Sequence, residues 1–316
     1  MTKGTDNFLA ISGGIGGAKL ALGLHKVLPP GQFKVLANTG DDFEHLGLSI
    51  SPDIDTLLYT LSGLNNEELG WGRRDESWNF LEACKQLQLE SWFQLGDRDL
   101  ALHIYRTQQL AAGFSLTNIT QSLCEKLDIS TPVLPMTDSP VRTMLDTDHG
   151  QMAFQEYFVK HRCEPVVKEI WYQGADSAAI SKELEKALQS PELGAVIICP
   201  SNPFLSIEPV LATADLRERL RTLGKPVLLV SPIIDGKSIK GPTAKLMQEL
   251  KMPTTVASIA EIYRGLATHI IIDEQDVQHT ETIMDTGMKV LTANILMNDL
   301  QDKMKLAEIA IDFTRH

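Results

Sequence analysis

The feature that most constrains this chain is a short apolar run ending in a cluster of glycines. Phe8-Leu9-Ala10-Ile11-Ser12 leads directly into Gly13-Gly14-Ile15-Gly16-Gly17-Ala18-Lys19. Apolar residues then recur at helical spacing (Leu20, Leu24, Val27, Leu28) until Pro29-Pro30-Gly31 stops the helix. Phe33 to Ala37 reads as a second buried strand, ending at Asn38-Thr39-Gly40-Asp41-Asp42. A strand, a loop, a helix and a strand in that order predict a parallel sheet. The alternation returns later, with apolar strands at Ala195–Cys199, Val227–Val230, His269–Ile272 and Val290–Thr292. Helical patterns near 177–188, 243–250 and 296–313 lie between and after them. Fully apolar strands alternating with helices indicate a sheet covered on both faces. The predicted fold is α/β: a Rossmann-like, mostly parallel sheet with helices on both faces.

Two stretches interrupt that alternation. From Asp55 to Asp128 four helical patterns follow one another without a strand, the last opened by Ser115-Leu116-Thr117-Asn118. Between Thr131 and Tyr172, Val141–Leu145 and Met152–Phe154 flank Asp146-Thr147-Asp148-His149-Gly150, a hairpin signal. The predicted organisation is a core of residues 1–54 and 131–316, with a β-hairpin region near 140–172 and a helical insertion over 55–130.

Composition excludes several roles. The formal net charge is -12, and a duplex nucleic-acid binder needs a basic face to neutralise phosphates. No apolar run reaches the roughly 18 residues of a membrane span. The polar start, Met1 to Asn7, lacks a signal-peptide pattern. Cys84, Cys124, Cys163 and Cys199 match no zinc or disulfide spacing, so they read as packed thiols of a reducing cytoplasm.

The glycine cluster is the first candidate for chemistry. Glycines at a strand end let backbone N–H groups approach a phosphate, and the following helix adds its positive end. Gly13, Gly14, Gly16 and Gly17 exceed what a tight turn needs. No Gly-Lys-Ser/Thr follows at Walker spacing. The dinucleotide fingerprint fails as well: Lys19 stands where a third small residue belongs, and Asn38 where a ribose-binding carboxylate belongs. Lys19 faces either a phosphate or solvent.

Asn38, Thr39, Asp41 and Asp42 sit at a strand's carboxyl end, where open parallel sheets bind ligands. In Ser51-Pro52-Asp53-Ile54-Asp55-Thr56, helix capping accounts for Ser51, Pro52 and Asp53 but less well for Asp55. Carboxylates near a phosphate loop suggest Mg²⁺, with Asp55, Asp53 and Asp42 as candidate ligands. Gly96-Asp97-Arg98-Asp99 precedes a helix on which Leu100 and Ile104 leave His103 and Arg106 on a different face; the run is either a constellation for chemistry or a solvated, salt-bridged helix start. Thr137 and Asp138 end another apolar run; Ser201 and Asn202 follow the strand ending at Cys199, and Ser206 reads as a helix cap.

Taken in order, Ser12–Leu20, Asn38–Asp42, Ser51–Thr56, Trp71-Gly72, Leu95–Asp99, Pro135–Asp138 and Pro200–Pro203 resemble the 2-phospho-L-lactate transferase family of coenzyme F-420 biosynthesis. Archaeal members usually carry Thr and Pro where this chain has Ile15 and Ala18, so its loop is closer to bacterial ones. The resemblance implies a Mg²⁺-dependent transfer by a cytoplasmic homodimer. A guanosine-diphospho-activated three-carbon acid (phospholactate, phosphoenolpyruvate or phosphoglycerate) gives its phospho-acid moiety to the terminal ribityl hydroxyl of the deazaflavin FO, and GMP leaves. It further implies that Asp55 and Arg98 contact FO, while Gly13 to Gly17, Ser201 and Asn202 lie near the donor. In that frame Asp55 orients or deprotonates the attacking hydroxyl, and Trp71, Trp78 or Trp92 either stack on the deazaflavin or pack a core. The competing resemblance is to the gluconeogenesis-factor family of nucleotide-sugar-binding regulators, which implies binding without turnover. Gly-Asp-Arg-Asp and Pro-Met-Thr-Asp favour the transferase.

Overall fold

A computed structural model describes residues 6–68, 70–238 and 241–316. Chain order begins with β1 (Asn7–Ser12), α1 (Gly14–Val27) and β2 (Phe33–Ala37). A tight hairpin, β3 (Phe43–His45) with β4 (Leu48–Ile50), leads into α2 (Pro52–Ser62), α3 (Asn79–Gln86), α4 (Asp99–Ala111) and α5 (Leu116–Lys126). The chain then returns to the sheet in β5 (Val133–Pro135) and leaves it for β6 (Arg142–Thr147), β7 (Gly150–Ala153) and β8 (Val167–Gln173). The remaining strands are β9 (Leu193–Ile198), β10 (Val227–Val230), the two-residue pair β11 (Ile233–Ile234) and β12 (Lys237–Ser238), β13 (His269–Ile272) and β14 (Lys289–Thr292).

Seven strands form one sheet in the order β14-β13-β10-β9-β1-β2-β5, and every neighbouring pair is parallel. The order runs outward from β1 in one direction and then, from β9, in the other. That reversal makes the gap between β1 and β9 the switch point at which such sheets bind ligands, beyond the strands' carboxyl ends.

Alternation along β1 shows why both faces are covered. Phe8 and Ala10 point into one core with Leu20, Leu24, Ile54, Leu58, Ile119 and Leu306. Leu9 and Ile11 point into the other, with Leu184, Val210, Leu216, Ile259 and Tyr263. α2 and α5 therefore contribute directly to a core of the main sheet. β6 to β8 form a separate antiparallel sheet of order β7-β6-β8, whose turn falls at Asp148-His149 as the hairpin signal predicts. It docks on the β2 loop through Thr143, whose N–H donates to the Gly40 carbonyl at 2.7 Å.

The four helical patterns fall where the sequence places them, but α4 is turned the other way. His103 and Arg106 are buried at 1% and 0% exposure, whereas Ile104 is 39% exposed. Paired polar partners inside the protein outweigh the apolar stripe. Among the described residues no helix is long and apolar enough to cross a membrane.

Candidate functional site

The glycine loop and the turn after β9 are pressed together at the switch point. A side chain at Gly16 would collide with the Pro200 carbonyl, and one at Gly17 with the hydroxyls of Ser12 and Ser201. Gly14 adopts a φ of +62°, which a glycine takes without strain. The Gly13 N–H donates to Ser201 Oγ at 3.2 Å, and the Gly14 N–H to Asp53 Oδ1 at 2.6 Å. Two loop amides thus already have partners within the chain. Asp53 stands at the positive end of α1 as well as in the first turn of α2.

Asn38 joins the next two segments. Its Nδ2 donates to Asp41 Oδ1 at 2.7 Å, to Asp53 Oδ2 at 2.9 Å and to the Leu205 carbonyl at 3.3 Å. Ser51 occupies the capping position of α2 without capping it; its hydroxyl donates to Asp42 Oδ2 at 2.8 Å. The cap after β9 is Asn202, whose Oδ1 accepts the amides of Phe204 and Leu205 at 2.9 and 3.0 Å; Ser206, predicted as that cap, is instead buried close to Gly13. Around this floor lie buried polar atoms without a partner in the protein: Ser12 Oγ, Thr39 Oγ1, Asp42 Oδ1, Thr143 Oγ1 and Asn202 Nδ2. Buried groups of this kind are ordinarily paired, so each of these atoms is a candidate contact for a polar ligand.

Burial dominates the electrostatics. Burial pushes the Asp42 carboxyl up to about 7, with Asp55 adding to the rise; the Ser51 hydroxyl, Arg106 and Arg142 oppose it. Burial raises Asp53 to about 6 despite the hydrogen bonds from Asn38 and Gly14. Asp41 lies well above the usual range, through burial and then the charge of Asp53. Asp55 faces Arg106, which donates from Nη2 to Oδ1 and from Nη1 to Oδ2, the latter at 3.2 Å.

Other candidates stand apart. Lys19 Nζ donates to the Met297 carbonyl at 2.8 Å, tying α1 to the segment before the closing helix. Thr137 Oγ1 donates to the Ala179 carbonyl, and Asp138 Oδ1 accepts the Thr117 amide in the first turn of α5. The Arg98 side chain is 55% exposed, 3.9 Å from Asp75. Its backbone carbonyl accepts from Arg73, which lines a cavity of about 190 Å³ with Trp71, Trp78, Glu76, Gln94 and Asp99. Trp92 instead packs beside Phe43, His45 and Phe93.

The sequence leaves Arg106 and His103 open between a chemical constellation and a solvated helix start; the structure buries both. The signal that finds them is the spacing of Asp99, His103 and Arg106, which brings three polar side chains to one side of a helix.

The chain is a doubly wound α/β protein whose switch point gathers a glycine loop and a group of buried carboxylates. The chain belongs to the family described as 2-phospho-L-lactate transferase CofD, which matches residues 8–310. It is 35% identical over 309 residues to a phosphoenolpyruvate transferase of Streptomyces coelicolor, covering 96% of each chain. It is 36% identical over 297 residues to a 2-phospho-L-lactate transferase of Methanospirillum hungatei, covering 93% of this chain and 99% of that one. A crystal structure of a UPF0052-family protein from Bacillus halodurans shares the fold, with a TM-score of 0.65 at 13% identity, covering 98% of this chain and 100% of that one.

Proposed function

We propose that the protein transfers a phospho-acid moiety from a guanosine-diphospho-activated three-carbon acid to the terminal ribityl hydroxyl of FO, releasing GMP, in coenzyme F-420 biosynthesis. The observation that carries this reading is that Asp42 and Asp55 lie near enough to repel each other, in a segment that also holds buried, unpartnered polar atoms of Thr39 and Asp42. The relatives named for transfer of phosphoenolpyruvate and 2-phospho-L-lactate support the same class of donor.

In the transfer the ribityl hydroxyl gives up its proton, which leaves to solvent, and its oxygen bonds to the phosphorus that bears the acid. The bridging oxygen–phosphorus bond breaks, and GMP departs with the bridging oxygen. Such chemistry requires positioning and charge neutralisation, not a covalent nucleophile. Ser12, Thr39 and Asn202 offer polar atoms to the donor, and Asp55 orients the acceptor hydroxyl. The cavity with Trp71 and Trp78, adjoining Arg98, suits a flat, polar heterocycle.

The residues also suit Mg²⁺. Among the described residues no cluster of three or more His, Cys, Asp or Glu could hold a metal. Mg²⁺ usually takes only one or two carboxylates, with substrate phosphates and waters completing its shell. Asp42, with a buried Oδ1 lacking a partner, and neighbouring Asp55 fit that demand. Asp42 is the first choice, because Gly14 and Asn38 hold both oxygens of Asp53, and Arg106 holds both oxygens of Asp55. When bound, Mg²⁺ supplies neutralisation of the diphosphate charge.

A thermal-shift screen tests the binding side of this reading. Stabilisation by FO supports the transferase, whereas stabilisation by a UDP-sugar alone favours the nucleotide-sugar regulator.

A further inference from the structure

Asp55 is not a free carboxylate. Arg106, wholly buried on α4, grips both of its oxygens. Arg106 Nη1 also donates to the Ser49 carbonyl at 3.2 Å and lies 3.4 Å from His103 Nδ1. His103 in turn sits between two carboxylates, with Nδ1 3.6 Å from Asp55 Oδ2 and Nε2 3.0 Å from Asp99 Oδ2. Asp99 accepts the Tyr59 hydroxyl and lines the cavity with Trp71 and Trp78. A continuous polar chain therefore runs from the crevice carboxylate to the wall of that cavity.

We propose that Arg106 is a positioning residue for the transfer, fixing the plane of the Asp55 carboxylate through a two-pronged pair; this rests on the reading that Asp55 acts on the acceptor hydroxyl. A planar guanidinium matches a carboxylate fork as no other side chain does. It uses two of the four lone-pair positions of the carboxylate, leaving the others for a hydroxyl or a cation. Stability alone does not account for the arrangement. A buried ion pair is commonly no better than apolar packing of the same volume. Helix α4 nevertheless buries Arg106 and His103 while leaving Ile104 39% exposed. Local rules broken in this way collect at functional sites.

The test is a double-mutant cycle of Asp55→Asn, Arg106→Gln and the two combined, with Arg106→Lys beside them. Steady-state kinetics are measured for both substrates, and thermal midpoints report folding. Supporting contacts behind a site residue typically carry about 10–100-fold. The expected result for Arg106→Gln and Arg106→Lys is a kcat lower by roughly that factor, with each KM changed by less than about 3-fold. The combined variant is expected to be no slower than Asp55→Asn alone, because Arg106 acts through Asp55. It carries no lone buried charge, so it keeps the comparison available if Arg106→Gln alone fails to fold. A slowed but measurable Asp55→Asn with unchanged kcat in both Arg106 variants, or with independent losses that multiply in the combined variant, overturns the positioning role alone. Full turnover in Asp55→Asn overturns the underlying reading of Asp55, and the positioning role with it.

Discussion

The carboxylate of Asp53 accepts the backbone N–H of Gly14 at 2.6 Å, so an acidic side chain from the start of α2 caps the glycine loop at the start of α1. Loop and helix are fastened by the chain itself. Losing that bond and its partner Asn38 is expected to cost about 1–3 kcal/mol in Asp53→Ala, the scale of a lost cap or a buried hydrogen bond. Urea denaturation midpoints of the variant and the natural chain check this. An unchanged midpoint would show that the loop holds its shape without Asp53.

The close approach of α1 to the turn after β9 sets a second expectation. In Gly16→Ala the added methyl meets the Pro200 carbonyl, which is backbone and cannot swing away. Overpacking of this kind costs about 1–3 kcal/mol. The variant should lose stability and donor affinity together. Normal stability with normal donor binding would contradict the packing described at the switch point.

Asp42 and Asp53 are expected to separate in their response to Mg²⁺. A ligand at ten times its Kd stabilises the folded chain by roughly 1.4 kcal/mol. That gain, read as the rise in thermal midpoint on adding Mg²⁺ with GDP, should vanish in Asp42→Asn and persist in Asp53→Asn. The opposite pattern would move the metal to the loop-capping carboxylate.

His45 gives the chain a pH dependence with a definite sign. Its ring packs beside Phe43, Trp92 and Phe93, and neither nitrogen has a hydrogen-bond partner. Burial holds its pKa below the usual histidine value, against the raising effect of Glu90. The unfolded chain therefore takes up this proton more readily than the folded one. The contribution is fully present above the unfolded pKa of about 6.5 and is lost as pH falls through the folded value. Denaturation midpoints measured from pH 7.5 to 5 should fall less steeply in His45→Phe. Parallel curves would assign the acid loss to other groups.

How much of this was legible in the sequence follows from how local each signal is. The β1–loop–α1 unit was readable because an apolar run, glycines and helical spacing all lie within a few residues. The buried face of α4 was not: periodicity points its apolar residues inward, while Arg106 answers to Asp55, 51 positions away. The strands β3 and β4, three residues each, are too short for alternation to register. β8 escaped because its Lys168 and Glu169 interrupt the pattern with exposed charge. Ser51 was misassigned as a cap for a similar reason. A serine before Pro52 suits that role, but the hydroxyl is engaged by Asp42, delivered by a different loop.

The transfer itself is tested most directly by incubating the purified protein with FO, Mg²⁺ and each of three guanylylated acids, carrying phospholactate, phosphoenolpyruvate or phosphoglycerate, and identifying products by mass. An FO adduct bearing the phospho-acid, formed together with GMP in equal amount, is expected from at least one donor. Absence of any adduct with all three donors, with FO failing to bind, would contradict the proposed transfer.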